Sequence, residues 1–224
     1  MEKPEPLNKD AKGKSRFFIV IAIGVITMAL TYPMIITVPN PRMSVYLGYV
    51  FLVLFAAIHG PLVGFIVGLL GSATVCLILA FFSYRFGQSP LAWEWSMRNL
   101  INPRAIWAFS EANYFWWSWV LFSALHGLAT GGLRRLYPIA EGKFGVKQIF
   151  FFGAVQVAVH FLLLDLINPV LYRLFSDGAP MYYTLLAFGN YLMISNMYML
   201  SIIGLPLVFI YARVKKSLQQ NDTS

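Results

Sequence analysis

Asp165 is the one acidic residue inside a long apolar run, and an ionisable group at such depth is costly enough that ligand binding is the first function to consider for it. Asn168 follows three residues later, on the same face of a helix. Asn190 and Asn196 interrupt the next apolar run, His160 precedes Asp165, and Tyr32 closes the first run. Such groups can hydrogen-bond a polar ligand entering from one side of a membrane. They can equally bond one another across helices and hold a bundle together. His126 and His160 fit that structural role better than a ligand-binding one.

Other chemistries lack their residues. An intramembrane serine protease needs a Ser in a Gly-rich turn facing a His, and Gly71-Ser72 lacks the flanking pattern. His59, His126 and His160 have no partner at i+4, so no zinc site is expected. Gly13-Lys14-Ser15 mimics the end of a phosphate loop, but the first Gly would fall at Asn8 and no strand precedes it. The chain is not expected to be an enzyme, and any ATP hydrolysis would belong to partner subunits.

The elements that must position these residues follow from composition. The 224 residues are 58% hydrophobic and 12% charged, about half the charge of an ordinary soluble domain. That excludes a soluble enzyme, and a single cysteine, Cys76, excludes a disulfide scaffold. A membrane-crossing helix takes about 20 apolar residues. Six runs qualify: Phe17–Thr37, Met43–Ile58 (the shortest), Leu62–Phe82, Tyr114–Gly132, Ile149–Tyr172 and Tyr182–Tyr211. The expected fold is an all-α membrane protein, a six-transmembrane-helix bundle spanning 17–212 between tails 1–16 and 213–224. The first run is too long for a signal peptide and reads as a retained anchor.

The formal charge of +8 sorts by topology. Lys3, Lys9, Lys12, Lys14, Arg16, Arg134, Arg135, Lys143, Lys147, Arg213, Lys215 and Lys216 fall on one side, and Arg42, Arg85, Arg98, Arg104 and Arg173 on the other. The positive-inside rule puts both termini in the cytoplasm, and the basic pI needs no nucleic acid.

All six tryptophans lie between 93 and 119, in the longest outer loop, 83–113, and the mouth of the fourth helix. An anchoring belt would spread them over several helices. Trp93, Trp95 and Trp107 suit an aromatic lid over a flat ligand. Trp116, Trp117 and Trp119 fit a belt, although Trp116 is kept with the ligand set, as are Asn40 and Arg42 of the first outer turn. Gly60, Gly64, Gly68 and Ser72 recur every four residues and permit close helix approach, either by a helix of this chain or by another subunit. Ala22 and Ala29 offer a second small stripe.

The run Gly60-Pro61-Leu62-Val63-Gly64-Phe65-Ile66-Val67-Gly68-Leu69-Leu70-Gly71 resembles the third helix of substrate-binding S components of energy-coupling-factor (ECF) transporters, in the riboflavin-type branch. Trp116-Trp117-Ser118-Trp119-Val120-Leu121, with Ser123 and Gly127, resembles their fourth helix. The resemblance implies a vitamin-capturing protein of a prokaryotic plasma membrane. It would dock on a transmembrane coupling protein and two ATPases, with Ala22, Ala29, Gly60, Gly64, Gly68 and Ser72 as docking candidates. Ala22 meets Ile26 where the family often has a second Ala. Because the 83–113 loop is long for this branch, the expected ligand is bulky, cobalamin before riboflavin or a smaller vitamin. Asp165, Asn168 and Asn190 would bond its amides, and neither His160 nor Cys76 is expected to ligate cobalt. No resident cofactor or metal is expected.

Overall fold

In the computed structural model the described residues are 9–31, 35–39, 42–85, 117–167, 194 and 196–221. Helix α1 (Lys9–Thr31) begins in the basic tail, earlier than its apolar run, and ends where the Thr31 hydroxyl donates to the Thr27 carbonyl at 2.6 Å. Tyr32 precedes Pro33, and the proline ring disfavours helical geometry at the residue before it. The β-branched run that follows then pairs as a strand. Strands β1 (Ile35–Pro39) and β2 (Arg42–Tyr46) form an antiparallel hairpin, with Ile35 opposite Tyr46 and Pro39 opposite Arg42.

This hairpin corrects two expectations. The fold is the expected helical one, but neither the first span to Thr37 nor the second from Met43 is helical throughout, because the hairpin takes the end of one and the start of the other. Ile35, Ile36, Thr37 and Val38 are apolar enough to prolong a span by hydropathy, but their branched side chains favour extended backbone.

Helix α2 (Leu47–His59) and helix α3 (Pro61–Arg85) are separated by Gly60 alone. Gly60 holds φ = +100°, a region that residues with a Cβ rarely adopt, and Pro61 opens the next helix where its missing N–H costs nothing. Gly60→Ala is therefore expected to destabilise by about 1–2 kcal/mol, read as a fall of a few degrees in the detergent melting temperature. Unchanged melting would show that the hairpin bend tolerates a side chain.

Helix α4 (Trp117–Gly132) leads through short 3-10 turns at Arg134–Leu136 and Ile139–Glu141 to helix α5 (Val146–His160). The α5 axis continues as a π-helical stretch, Phe161–Ile167. Helix α6 (Asn196–Asn221) contains a second π stretch, Leu200–Gly204. Among the described residues a helix therefore occurs in each of the six predicted runs. Four segments, Gly13–Thr31, Pro61–Phe82, Val146–Leu163 and Asn196–Asn221, are long and apolar enough to cross a membrane, and Leu47–His59 is apolar but shorter.

The main core gathers Val50 and Val53 of α2, Phe152 and Val159 of α5, Val208 of α6, and Tyr137 and Ile139 of the connecting turns. Ile19, Ile23, Ile26 and Leu30 of α1, and Phe209 and Ile210 of α6, are instead exposed. In lipid such apolar faces need no cover, so the usual inside–outside rule does not apply.

The glycine stripe of α3 lies directly against α4. A Cβ on Gly64 would strike the Gly127 carbonyl, one on Gly68 the Ser123 carbonyl, and one on Gly127 the Gly64 carbonyl. A Cβ on Gly131 would lie against Gly60 and Pro61. Gly60, Gly64 and Gly68 thus interlock with Ser123, Gly127 and Gly131, backbone on backbone. The partner of Gly60, Gly64 and Gly68 is therefore a helix of the same chain, the first of the two alternatives that their spacing allowed. Ser72 is fully buried as well. Ala22 and Ala29 of α1 lie seven residues apart on one face, which is open at Ala22 and covered at Ala29, where Val75 packs against it.

Candidate polar site within the helix bundle

Five polar side chains meet inside this apolar bundle: Tyr49 of α2, His126 of α4, Gln156 and His160 of α5, and Asn196 of α6. Gln156, His160 and Asn196 are at least 96% buried. Buried polar groups at such depth must satisfy one another, because lipid offers neither donors nor acceptors. Gln156 is the hub. Its Oε1 accepts from the Tyr49 hydroxyl at 3.0 Å and from His126 Nε2 at 2.6 Å, while its Nε2 donates to Thr130 Oγ1 at 3.2 Å. The Tyr49 oxygen also lies 2.7 Å from His126 Nε2 and 3.2 Å from His160 Nδ1. The His126 and His160 rings meet edge to face with centroids 4.5 Å apart.

Helix geometry explains the convergence. Gln156 and His160 are four residues apart on one face of α5. His126 and Thr130 repeat that spacing on α4. Tyr49 lies ten residues before His59, about 15 Å along α2 at about 1.5 Å per residue. The winding changes beside the cluster: α5 becomes π-helical immediately after His160, and α6 does so four residues after Asn196. Such π stretches are frequent at functional sites because they re-aim side chains without ending the helix.

Above the hub is a cavity of about 30 Å³, lined by Tyr49, Trp119, Ser123, His126, His160 and Asn196 with apolar walls from Leu52, Phe122 and Leu163. It has room for a water or the tip of a polar group. Asn196 Nδ2 lies 3.1 Å from His160 Nε2, and its Oδ1 has no hydrogen-bond partner among the described residues.

The expected ligand set is placed unevenly. Tyr32, Asn40, Trp93, Trp95, Trp107, Trp116, Asn168 and Asn190 lie outside the described residues. Arg42 is in β2, and Asp165 is in the π-helical stretch of α5. His126 and His160, read from sequence as structural, line the cavity, and so does Trp119, which faces inward rather than serving only as a belt residue. Tyr49, Gln156 and Thr130 were missed. The signal that could have found Gln156 and Thr130 is their i, i+4 spacing to His160 and His126 on two apolar helices, whereas no such spacing marks Tyr49. Cys76 is buried beside Val120 and is not among the cavity-lining residues. No group of three or more His, Cys, Asp or Glu suited to a metal occurs among the described residues.

At the far end of the bundle, Lys143 of the α4–α5 connection and Arg213 and Lys216 of α6 surround an open recess of about 610 Å³. Two of the basic segments used to assign topology therefore meet at one end of the molecule.

The description "ECF-type riboflavin transporter, S component" matches residues 14–86 and 108–213. A UPF0397 protein of Lactobacillus helveticus is 30% identical over 67% of this chain and 66% of its own length. One of Clostridium perfringens is 28% identical over 78% of this chain and 76% of its own. One of Lactobacillus acidophilus is 30% identical over 91% of this chain and 95% of its own. No solved structure matches. With both the α1–α3 region and the α4–α6 region matched, the chain belongs to the family of ECF-type riboflavin transporter S components.

Proposed function

We propose that this protein is the substrate-capture subunit of an ECF-type vitamin uptake system. It binds its vitamin from outside a prokaryotic plasma membrane and delivers it inward when docked to a transmembrane coupling protein and two ATPase subunits. The observation that carries this reading is the polar cluster lining a cavity between α2, α4, α5 and α6, in a chain whose family captures transport substrates. The orientation is both termini cytoplasmic, in keeping with the basic recess formed by Lys143, Arg213 and Lys216.

The preferred vitamin is cobalamin or a related corrinoid. Residues 87–107 fall between the two matched stretches, and they carry Trp93, Trp95, Arg98, Arg104 and Trp107. An added aromatic and basic segment on the outer side favours a ligand larger than the flavin in the family's description. Trp93, Trp95, Trp107 and Trp116 would close over it, with Tyr32, Asn40, Arg42, Asp165, Asn168 and Asn190 contributing polar contacts. Riboflavin is the second reading, on the family description itself.

Calorimetric titration of the purified protein in detergent with cobalamin, riboflavin, folate, thiamine and biotin tests this. Saturable binding of one vitamin is expected, and cobalamin should outcompete riboflavin. Riboflavin binding alone would overturn the corrinoid assignment, and silence across the panel would overturn the capture reading.

A further inference from the structure

Lys143, Arg213 and Lys216 come from two separate stretches of chain, and the fold gathers them around one recess. Gly142 holds φ = +74°, and a Cβ there would lie 3.1 Å from both the Ala212 carbonyl oxygen and the Lys216 backbone nitrogen. The connecting turn therefore rests directly on the α6 backbone, a fit that favours glycine on both counts. Two residues on, Phe144 is buried in the main core together with Val208 and Ala212 of α6. Lys143 sits between these two anchors, so the backbones that carry the three cations are fixed relative to one another. The Lys143 ammonium donates to Glu141 Oε2 at 3.0 Å, which uses one of its three N–H groups. The Arg213 guanidinium stacks over Phe209, 4.6 Å from the ring centroid, and Phe209 itself lines the recess. The volume of about 610 Å³ is that of a ligand site, which typically holds about 300–1,000 Å³.

The surroundings of the recess identify the class of ligand. Leu207, Ile210, Val214 and Leu218 recur every three or four residues along α6 and are all exposed, an apolar face that runs on past Arg213 and Lys216. Val146 and Phe150, at the start of α5, are exposed as well. Apolar side chains level with basic ones mark a helix end in the headgroup layer, with lipid tails on one side and charge on the other. The recess also lies at the ends of two segments, Val146–Leu163 and Asn196–Asn221, that are long and apolar enough to cross a membrane. Basic pockets between helices at that level suit phosphate headgroups. We infer that the recess binds the phosphate headgroup of an anionic phospholipid through Lys143, Arg213 and Lys216, with the acyl chains along the exposed face of α6. A soluble phosphate would meet the same cations but would leave that adjoining apolar face unused. This site is separate from vitamin capture, and the leaflet it faces follows from the orientation given above.

The test adds short-chain lipids to the purified full chain in detergent and follows its melting temperature. Dihexanoyl-phosphatidylglycerol is expected to raise it saturably, while dihexanoyl-phosphatidylcholine and inorganic phosphate at equal concentration leave it unchanged. Lys143→Gln, Arg213→Gln and Lys216→Gln combined should weaken the phosphatidylglycerol response roughly ten-fold or more. Lys14→Gln, Arg85→Gln and Arg135→Gln combined remove as much charge outside the recess lining and should leave the response intact. Equal responses to the two lipids, or equal losses in the two triple variants, would overturn the inference. An equal response to inorganic phosphate would assign the recess to a free anion and overturn the lipid assignment. Silence in every arm would overturn it too, and would turn attention to an acidic protein surface as the partner. Should the recess variant not fold, phosphatidylglycerol with a photoactivatable headgroup locates the site in the wild type. Cross-links are expected within 141–148 and 209–219, and cross-links confined elsewhere would overturn the assignment. None of these arms needs a vitamin, so a silent vitamin panel rejects the capture reading and leaves the lipid site standing.

Discussion

Gly127→Val is expected to abolish the folded bundle or lower its melting temperature by roughly 6–12 °C, at about 2–4 °C per kcal/mol for a chain of this size. The new Cβ would be placed on the Gly64 carbonyl, with the Gly64 backbone carbon 2.5 Å away. Overpacking a core with flexible side chains costs about 1–3 kcal/mol. Here the obstructing atoms are peptide groups inside a helix, which cannot rotate aside, so the cost should reach about 3 kcal/mol or more. Among the described residues the α3–α4 pair is the most extensive helix contact, and opening it would separate both helices along Gly60, Gly64 and Gly68. Gly64→Leu should behave alike. Gly153→Ala is the control: nothing lies within 4 Å of the added carbon, and replacing a helical glycine should leave stability unchanged or raise it slightly. Thermal denaturation and size-exclusion profiles in detergent separate these outcomes. Equal melting of Gly127→Val and wild type would mean that the two backbones do not touch.

Gln156→Leu is expected to be the second most damaging change. The substitution keeps much of the side-chain volume but removes the acceptor shared by Tyr49 and His126 and the donor to Thr130. A buried polar group left unpaired costs about 1–3 kcal/mol. Tyr49 and His126 can still bond each other at 2.7 Å, so the losses do not simply add. A net cost of about 2–4 kcal/mol is expected. Vitamin binding should fall further than stability alone accounts for, because His126 and Tyr49 line the cavity. Melting curves and calorimetry on the same preparation measure both effects. If stability falls and affinity is untouched, the cluster serves only to hold the helices together.

Much of the architecture was legible in the sequence because a bilayer tolerates few backbone solutions. Long uncharged runs must be helical, and a helix occurs in every predicted run among the described residues. The break between the runs that end at Ile58 and begin at Leu62 was legible too, since Gly60 and Pro61 permit and then enforce a tight reversal. Hydropathy could not separate helix from strand at Ile35–Val38, because it weighs side chains and takes no account of backbone conformation. There the proline at 33 and the branched side chains decided for the hairpin.

The site was legible only in part. Asp165 stood out because charge at depth is conspicuous, while Gln156 did not, since a single amide in an apolar helix costs little when partnered. Its partners Tyr49 and His126 lie 107 and 30 residues away, and no local spacing reports such a meeting. By itself the sequence determined that this protein lives in a membrane, where its helices run and which small residues allow close approach, because those properties follow from composition and period along one chain. Only the tertiary structure decided that the glycine stripe faces α4, and that four helices join five polar groups in one hydrogen-bonded cluster. Both depend on which faces meet, and that choice is made by packing between residues far apart in the chain.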